Sequence, residues 1–337
     1  MGLENSCIVT VDQSPLRIGV LGAARIVRDA IIRPSHRVSG VVAHAVAARD
    51  QSRAKTFASD HGIQVAHESY ESLLRDPTVD AVYVPLPASL HAEWVVAAVE
   101  AGKDVICEKP FAGNAASASR VEGVAAQSDR VVMEAYHSHY HPLYGRLRDI
   151  IHDGEIGCVH SARSTFFVPI PPGKDIRWSF PLGGGSLLDI GYYPVRAPTE
   201  LFGSDAAVSR AQARTRGPID RRMDATLTFP AGITATVSSA MWSFPLFEMS
   251  LTIEGSDGSL RVTFPFHPQM GSRIRIRRRG RSRTEMPTRK STYDFQLEAF
   301  RDAVKLRSPV ETNASAATAH LELLDAIYQE AGLPLRP

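Results

Sequence analysis

The sequence contains few cysteines, no excess of either charge and no long apolar run. Only Cys7, Cys107 and Cys158 occur among 337 residues, and their odd number and wide spacing argue against a disulfide framework and for a reducing compartment. The 38 basic and 36 acidic residues nearly cancel, so charge gives no general attraction to nucleic acid or to an anionic membrane. No stretch is long and apolar enough to span a bilayer. These shortages favour a soluble cytoplasmic protein.

The opening segment, MGLENSCIVTVDQSP, also lacks the basic start and apolar core of a signal peptide. We therefore expect a loose leader. Gly2 and Ser6 match the pattern for N-myristoylation, but so short a pattern recurs by chance. No membrane partner is expected.

The first part of the chain alternates short aliphatic runs with segments of helical periodicity. A length of 337 residues exceeds what one hydrophobic core usually organises, so we expect two domains and assign residues 1–137 to the first. Strand and helix in strict alternation predict parallel strands with right-handed crossovers, which is a doubly wound α/β sheet. The predicted strands are RIGVLG, VVAHAVAA, AVYVPLP, DVICEKP and RVVMEAY.

Residues 138–337 have a different pattern, and we assign them to a second domain. HPLYGRLRDIIHDGEIG predicts a helix, and β-branched or alternating runs such as VHSARSTFFV, ITATVSSAMW, EMSLTIEG and SLRVTF predict a mainly antiparallel sheet with one face on helices. YDFQLEAFRDAVKL and SAATAHLELLDAIYQEAG predict two closing helices. A cleft between the two domains is the expected binding site.

The turn after the first predicted strand has the features of a phosphate-binding loop. RIGVLG predicts a strand and AARIVRDAII a helix, so the turn places backbone N–H groups and a helix N-terminus against a phosphate. Gly22 takes the tight-turn position of the G-x-G-x-x-G fingerprint, but Ala24 and Val27 replace its other two glycines. We predict Gly22, Ala24, Arg25 and Ile26 as cofactor-binding residues. The alternative is a tight turn without a ligand.

The end of the second predicted strand indicates which dinucleotide is bound. A carboxylate at this tip would hold the ribose 2′-hydroxyl of NAD, yet VAARD has Ala47 and Ala48 there, followed by Arg49. An arginine pairs with a 2′-phosphate, so NADP is favoured. NAD stays possible if Asp50 turns back to the ribose.

Motifs along nearly the whole chain, from Arg17 to Tyr328, resemble those of the Gfo/Idh/MocA family of oxidoreductases. In order they are GVLGAARI, VYVPLPASLHAEW, AGKDVICEKPF, VVMEAY followed by HYHP, DIRW, GGGSLLDIGYYP and FRDAV. The chain is most similar to the branch of dihydrodiol dehydrogenase, D-xylose dehydrogenase and glucose–fructose oxidoreductase, because its helix motif ends in tyrosine where inositol dehydrogenases carry histidine. The resemblance implies an N-terminal Rossmann domain, a C-terminal α+β domain with a mainly antiparallel open sheet, and a homodimer or homotetramer.

The resemblance also implies Lys109, Asp189 and Tyr193 as catalytic residues. Lys109 follows the apolar run of VICEKPF, so its ammonium lies just past a buried strand, where it reaches a substrate oxygen. Asp189 and Tyr193, four residues apart on one face of a helix, point into the same cleft, and Asp189 orients the substrate or the lysine. Because a neighbouring ammonium lowers the pKa of a phenol, we expect Lys109 to make Tyr193 a better acid–base group. The alternatives are Tyr192 as the active phenol, or structural roles for Asp189 and Tyr193.

Further cofactor contacts follow from the same resemblance. The residues implied are Pro85, Leu86, His91, Glu108 and Lys109. A cis peptide bond before Pro110 is implied as well. His91 can equally be a helix-start residue. Arg177 and Trp178 follow the proline-rich FFVPIPPGKD and are implied near the nicotinamide, with a stiff surface loop as the alternative.

Two patterns invite metal or nucleic-acid binding, and we expect neither function. His137, His139 and His141 alternate and would share one face of an extended segment, as in a zinc site. The resemblance places them at the domain junction without a metal. RIRIRRRGRSR, from Arg273 to Arg283, is strongly basic, but its alternation around a central glycine fits a hairpin with a solvated face, and no aromatic platform accompanies it.

The leading interpretation is an NADP-dependent dehydrogenase or reductase acting on a secondary carbinol or ketone of a sugar, polyol or cyclic diol. Two other classes stay open. One is an enzyme of the same family that retains its cofactor, either an oxidoreductase or a lyase-type glycosidase that uses transient oxidation. The other is a non-catalytic dinucleotide sensor.

Overall fold

The computed structural model describes residues 14–337. The expected leader, Cys7 and the acylation pattern of Gly2 and Ser6 lie outside this described part. Between residues 14 and 337, none of the helices combines the length and the apolar character that a membrane crossing requires.

Six parallel strands form the first sheet, in the order β3-β2-β1-β4-β5-β6. They are β1 (Leu16–Leu21), β2 (Val41–Ala47), β3 (Val65–His67), β4 (Ala81–Val84), β5 (Asp104–Glu108) and β6 (Val132–Ala135). The order runs outward in both directions from β1, which confirms the expected doubly wound sheet. Sequence reasoning missed β3, because VAH is too short to show a period.

Helices pack against both faces of this sheet. A π-helical turn, Arg28–Ile32, leads into α1 (Arg33–Ser35), where the sequence predicted an ordinary helix. The others are α2 (Gln51–His61), α3 (Tyr70–Leu74), α4 (Ala88–Glu100) and α5 (Ala115–Ala126). Polar caps fix the starts of three of them: the side chains of Asp50, Ser69 and Asn114 accept backbone N–H groups of α2, α3 and α5.

Eight strands form the second sheet, in the order β14-β13-β12-β11-β7-β10-β9-β8. They are β7 (Val159–Val168), β8 (Ala207–Arg216), β9 (Ile219–Thr228), β10 (Thr234–Met241), β11 (Glu248–Gly255), β12 (Gly258–Thr263), β13 (Arg273–Arg278) and β14 (Arg281–Glu285). Only the β7–β10 pair is parallel, so the mainly antiparallel sheet is confirmed. The edge strand β8 was not predicted, because AVSRAQARTR is mostly exposed and polar.

The remaining helices follow β6, and one of them, α10, contacts elements of both sheets. They are α6 (Pro142–His152), α7 (Ser186–Asp189), α8 (Tyr192–Phe202), α9 (Thr292–Leu306) and α10 (Ala314–Glu330). Helix α8 packs on β7 and β10, whereas α9 packs on the π-helical turn and α1 beside the first sheet. Helix α10 contacts α5 and also β8. A division of the chain after residue 137 stays a prediction.

A buried ion pair holds the short helix α7 in place. The guanidinium of Arg336 and the carboxylate of Asp220 are 2.5 Å apart, and both side chains are fully buried. The second carboxylate oxygen of Asp220 accepts hydrogen bonds from the Leu187 backbone N–H (2.7 Å) and the Ser186 hydroxyl (2.9 Å), both at the start of α7. Arg336 also donates to the carbonyl oxygen of Gly184, 2.6 Å away. The pair therefore positions α7 and its last residue, Asp189.

Replacing Arg336 with methionine should lower the free energy of unfolding by about 3–5 kcal/mol, because the substitution leaves the buried carboxylate of Asp220 without its charge partner. Urea denaturation measures this loss. Arg277→Met, on an exposed position of β13, is the matched control and should change the free energy by about 0.5 kcal/mol or less. Equal losses in the two variants would contradict the structural role of the pair.

Candidate active site

Within the described part of the chain, the turn between β1 and the π-helical turn presents unbonded backbone N–H groups. Gly22 has a φ of +119°, and a Cβ at this position would lie 3.1 Å from Leu86 Cδ2, so a larger residue would be strained and crowded. The Gly22 N–H donates to the Ala47 carbonyl oxygen at 2.7 Å, whereas within residues 14–337 the N–H groups of Ala24 and Arg25 make no hydrogen bond. Free N–H groups beside β1, where the strand order reverses, fit a dinucleotide phosphate. Arg25 is exposed here, and Ile26 is half-buried.

Two arginines lie beside this turn, one before α2 and one in its first turn. Arg49 follows β2 and is exposed, and its contact with a 2′-phosphate stays a prediction. Arg53 donates to the Ala23 carbonyl oxygen at 2.9 Å. Sequence reasoning missed Arg53, although a second arginine four residues after Arg49, at the start of a predicted helix, was a usable signal. The carboxylate of Asp50 accepts from the backbone N–H and the hydroxyl of Ser52, both at 2.7 Å, so it caps α2.

His91 braces the loops that follow β4 and β5. Its ring nitrogens lie 2.7 Å from the carbonyl oxygens of Pro110 and Leu86. Burial lowers the pKa of His91 to about 4. The expected cis peptide bond joins Lys109 and Pro110. Contact between the cofactor and His91, Leu86 or the buried Pro85 stays a prediction.

Lys109, Asp189 and Arg177 form one ion-pair group between the two sheets. The Lys109 ammonium lies 2.6 Å from Asp189 Oδ1 and also donates to the Asp189 carbonyl oxygen at 3.0 Å. Arg177 Nε donates to the other carboxylate oxygen. Burial alone would raise the pKa of Asp189, but the two cations hold it well below its usual range, so the carboxylate stays ionised. The three residues line a narrow cavity of about 80 Å³.

Glu108 is buried beside this group at the end of β5. The hydroxyl of Tyr83 donates to it at 2.6 Å. Burial raises the pKa of Glu108 to about 7, although the Tyr83 hydrogen bond and the Lys109 charge oppose that rise. A direct contact of Glu108 with the cofactor stays a prediction.

Tyr193 lies beside the Lys109 ammonium, which is 5.0 Å from the centre of its ring. The expected single helix carrying Asp189 and Tyr193 is instead two, α7 and α8, joined through Ile190 and Gly191, yet both side chains reach the lysine. The expected lowering of the tyrosine pKa is wrong. Burial raises the pKa of Tyr193 well above 10, and the negative charges of Glu108 and Asp189 add to that effect.

The neighbouring Tyr192 is turned away from the lysine. Its hydroxyl donates to Glu134, and its ring packs edge-on against His320 with 4.3 Å between the ring centres. Both Tyr192 and Glu134 are fully buried. The structure therefore gives Tyr192 a partner in the core and leaves Tyr193 beside the Lys109 ammonium.

Arg177 and Trp178 lie in a 3₁₀ turn, Ile176–Trp178, after the proline-rich loop. Arg177 reaches Asp189, so this segment belongs to the site and is not a detached surface loop. The buried Nε1 of Trp178 has no hydrogen-bond partner within residues 14–337. A contact of Trp178 with the nicotinamide stays a prediction.

The three alternating histidines have separate partners, because residues 137–140 form turns and not a strand. His137 Nε2 lies 3.0 Å from the Tyr193 hydroxyl. His139 lies between the carboxylates of Glu200 (2.8 Å) and Glu311 (3.0 Å). His141 Nδ1 accepts the Leu143 N–H and caps α6.

Other aromatic and imidazole rings around Tyr193 were not found from the sequence. His267 and Phe266 have ring centres 5.6 and 5.7 Å from that of Tyr193, and Tyr293 contacts His137 at 4.4 Å. They come from the loop after β12 and from α9, far along the chain. No local motif marks them.

The basic segment from Arg273 to Arg283 forms the β13–β14 hairpin, as predicted. Ile274 and Ile276 are buried, and the alternating arginines are exposed. Gly280 takes a left-handed conformation in the turn, with a φ of +78°. The hairpin lies at the edge of the second sheet, β14 being its last strand.

Two family models match the chain. The model described as "Oxidoreductase family, NAD-binding Rossmann fold" covers residues 16–136, and the GFO/IDH/MocA C-terminal domain model covers residues 144–261. Together they cover the turn after β1, Lys109, Asp189 and Tyr193. The resemblance stated from the sequence is thereby confirmed.

Named relatives and solved structures agree with these matches. The chain is 34% identical to D-xylose 1-dehydrogenase (NADP(+)) 2 of Haloferax volcanii, over 94% of this chain and 97% of that protein. It is 33% identical to dTDP-3,4-didehydro-2,6-dideoxy-alpha-D-glucose 3-reductase of Streptomyces violaceoruber, over 94% and 96% of the two chains. The structure of KijD10, a 3-ketoreductase from Actinomadura kijaniata in complex with NADP and TDP-benzene, superposes with a TM-score of 0.89 at 30% identity, covering 94% of this chain and 98% of that one. Fold, motifs and matches together show that this chain is a member of the Gfo/Idh/MocA family of oxidoreductases.

Proposed function

We propose that this protein is an NADP-dependent oxidoreductase that transfers a hydride between the nicotinamide and a secondary carbinol or ketone of a sugar, polyol or cyclic diol. The observation that carries the proposal is the meeting of Lys109, Asp189 and Tyr193 beside a dinucleotide turn. Lys109 and Asp189 are 80 positions apart in the chain, so local packing does not explain why their side chains meet. Lysine, carboxylate and phenol together supply the groups that carbonyl reduction needs.

The residues around the first turn fit NADP. The free N–H groups after Gly22 suit the pyrophosphate, and the exposed Arg49 and Arg53 suit a 2′-phosphate. Asp50 is engaged as the cap of α2, which speaks against its use as a ribose ligand for NAD. When bound, the cofactor supplies or accepts the hydride.

Tyr193 and Lys109 handle the proton and the oxygen. In the reducing direction the carbonyl carbon gains a hydride, the oxygen takes the hydroxyl proton of Tyr193, and solvent replaces that proton; oxidation is the reverse. The raised pKa of Tyr193 keeps the phenol protonated at neutral pH, which suits proton donation. Lys109 donates a hydrogen bond to the substrate oxygen, and Asp189 holds its ammonium in place.

The names of the relatives support a sugar-type substrate. D-xylose and a dTDP-linked keto sugar are the compounds named for two relatives, each 33% or more identical over 94% of this chain. Both are sugars that carry hydroxyl or keto groups. Assembly into a homodimer or homotetramer and location in the cytoplasm stay predictions.

The direct test is turnover with NADP(H) on a panel of sugars, polyols and diols, beginning with D-xylose. We expect a net change in nicotinamide absorbance, since the cofactor is consumed and released. Binding of NADP without net turnover on any substrate would favour the cofactor-retaining classes, and binding without any oxidation or reduction of the bound cofactor would favour the sensor.

Tyr193→Phe should lower kcat by about 10²- to 10⁴-fold, because it removes the proton donor. Steady-state rates on the best panel substrate measure this loss. Tyr192→Phe is the matched control: it removes the hydroxyl bonded to Glu134 and should reduce stability while leaving kcat within a few-fold. A rate within a few-fold of the parent in Tyr193→Phe would refute the role of the phenol.

Arg49→Ala and Arg53→Ala should each raise the KM for NADPH by about 10-fold or more, because each removes a charged donor to the 2′-phosphate, while the KM for NADH stays within a few-fold. Cofactor titrations at saturating substrate measure both constants. Arg75→Ala, an exposed arginine just past α3, is the control and should change neither constant. Parallel changes for NADPH and NADH would argue against 2′-phosphate recognition.

A further inference from the structure

His137 is a buried imidazole in contact with the phenol assigned to proton transfer. Its side chain is 1% exposed, and Nε2 lies 3.0 Å from the Tyr193 hydroxyl oxygen. Its Nδ1 is buried and has no hydrogen-bond partner within residues 14–337. The rings of Tyr293 and His267 enclose it, with ring centres 4.4 and 4.9 Å away. Within the part of the chain that the structure describes, the imidazole therefore hydrogen-bonds to Tyr193 alone.

The protonation state of His137 follows from these surroundings. Burial, together with the nearby His267 and Lys109, lowers its pKa well below 6.5, so the ring is neutral and carries one N–H. A proton on Nδ1 would leave a buried donor without an acceptor, which is rare and costly in proteins. A proton on Nε2 finds the Tyr193 oxygen as its acceptor. The Tyr193 hydroxyl can then turn its hydrogen to another acceptor, such as a substrate oxygen, whereas a ring N–H at Nδ1 cannot move. The arrangement therefore favours the Nε2–H tautomer.

The Nε2–H tautomer determines where the hydroxyl hydrogen of Tyr193 points. When Nε2–H donates to the phenol oxygen, the hydroxyl hydrogen has no acceptor on the histidine and is free to point at a substrate oxygen. When the hydroxyl proton leaves, the same N–H faces a phenolate, and a hydrogen bond to a charged oxygen is stronger than one to a neutral oxygen.

We propose that His137 is a positioning residue whose Nε2–H donates to the Tyr193 oxygen, aims the hydroxyl proton at the substrate and stabilises the phenolate left after transfer. The inference rests on the proposed function. His137 keeps its own proton throughout, so the stoichiometry of hydride and proton transfer is unchanged.

The test compares His137→Phe with His137→Gln in the full chain. Phenylalanine keeps the ring packing and removes the donor, so we expect kcat on the best panel substrate to fall by about 10- to 100-fold with the KM for NADPH unchanged. Glutamine places an amide N–H near the position of Nε2 and should recover most of the rate.

His139→Gln is the matched control, because that histidine contacts Glu200 and Glu311 and not Tyr193. Its kcat should stay within a few-fold of the parent value. A His137→Phe variant that folds and keeps the parent kcat would overturn the inference while leaving the proposed function intact. A parent protein without turnover on the panel would instead overturn the proposed function.

Nitrogen-15 NMR of the histidine side chains in the unsubstituted protein tests the same inference without a folding risk. The His137 signals, assigned by their loss in His137→Gln, or in His137→Phe if the first variant does not fold, should show a protonated Nε2 and an unprotonated Nδ1 at neutral pH. A protonated Nδ1, or a doubly protonated ring, would contradict the proposal.

Discussion

The ion pair between Lys109 and Asp189 is the contact on which the site depends. Lys109 follows a strand of the first sheet, and Asp189 ends a short helix that packs on the second. Their 2.6 Å contact holds the Lys109 ammonium beside the Tyr193 ring. Lys109 comes from the first sheet, and Asp189 and Tyr193 come from helices on the second, so neither sheet alone carries all three reactive groups. A fixed cation at this junction costs no reorganisation when negative charge develops on a substrate oxygen.

Several other contacts hold the members of this pair. The ring of His91 lies between the carbonyl oxygens of Pro110 and Leu86, so it links the loop of Lys109 to the loop after β4. Arg177 donates to the second carboxylate oxygen of Asp189. Behind Asp189, the buried Arg336–Asp220 pair fixes the start of α7. Polar groups buried this deeply are costly unless they are paired, so their pairing specifies one arrangement of the site.

Much of the fold was readable from the sequence because its signals are local. Alternating aliphatic runs gave the doubly wound sheet, and β7 and β11 begin and end where their patterns do. Lys109, Asp189 and Tyr193 lie in contiguous motifs and were found with them. His267, Tyr293 and the Arg336–Asp220 pair were not, because only tertiary packing joins distant segments. The tyrosine pKa was misjudged because a sequence shows a neighbouring charge but not the burial that outweighs it.

Lys109 and Asp189 act as one unit in this site, and a double-mutant cycle on kcat/KM tests that coupling. Lys109→Met and Asp189→Asn should each lower kcat/KM strongly, and the double variant should be no worse than the poorer single variant by more than a few-fold. Losses that multiply in the double variant would show that the two residues act independently and would contradict the account.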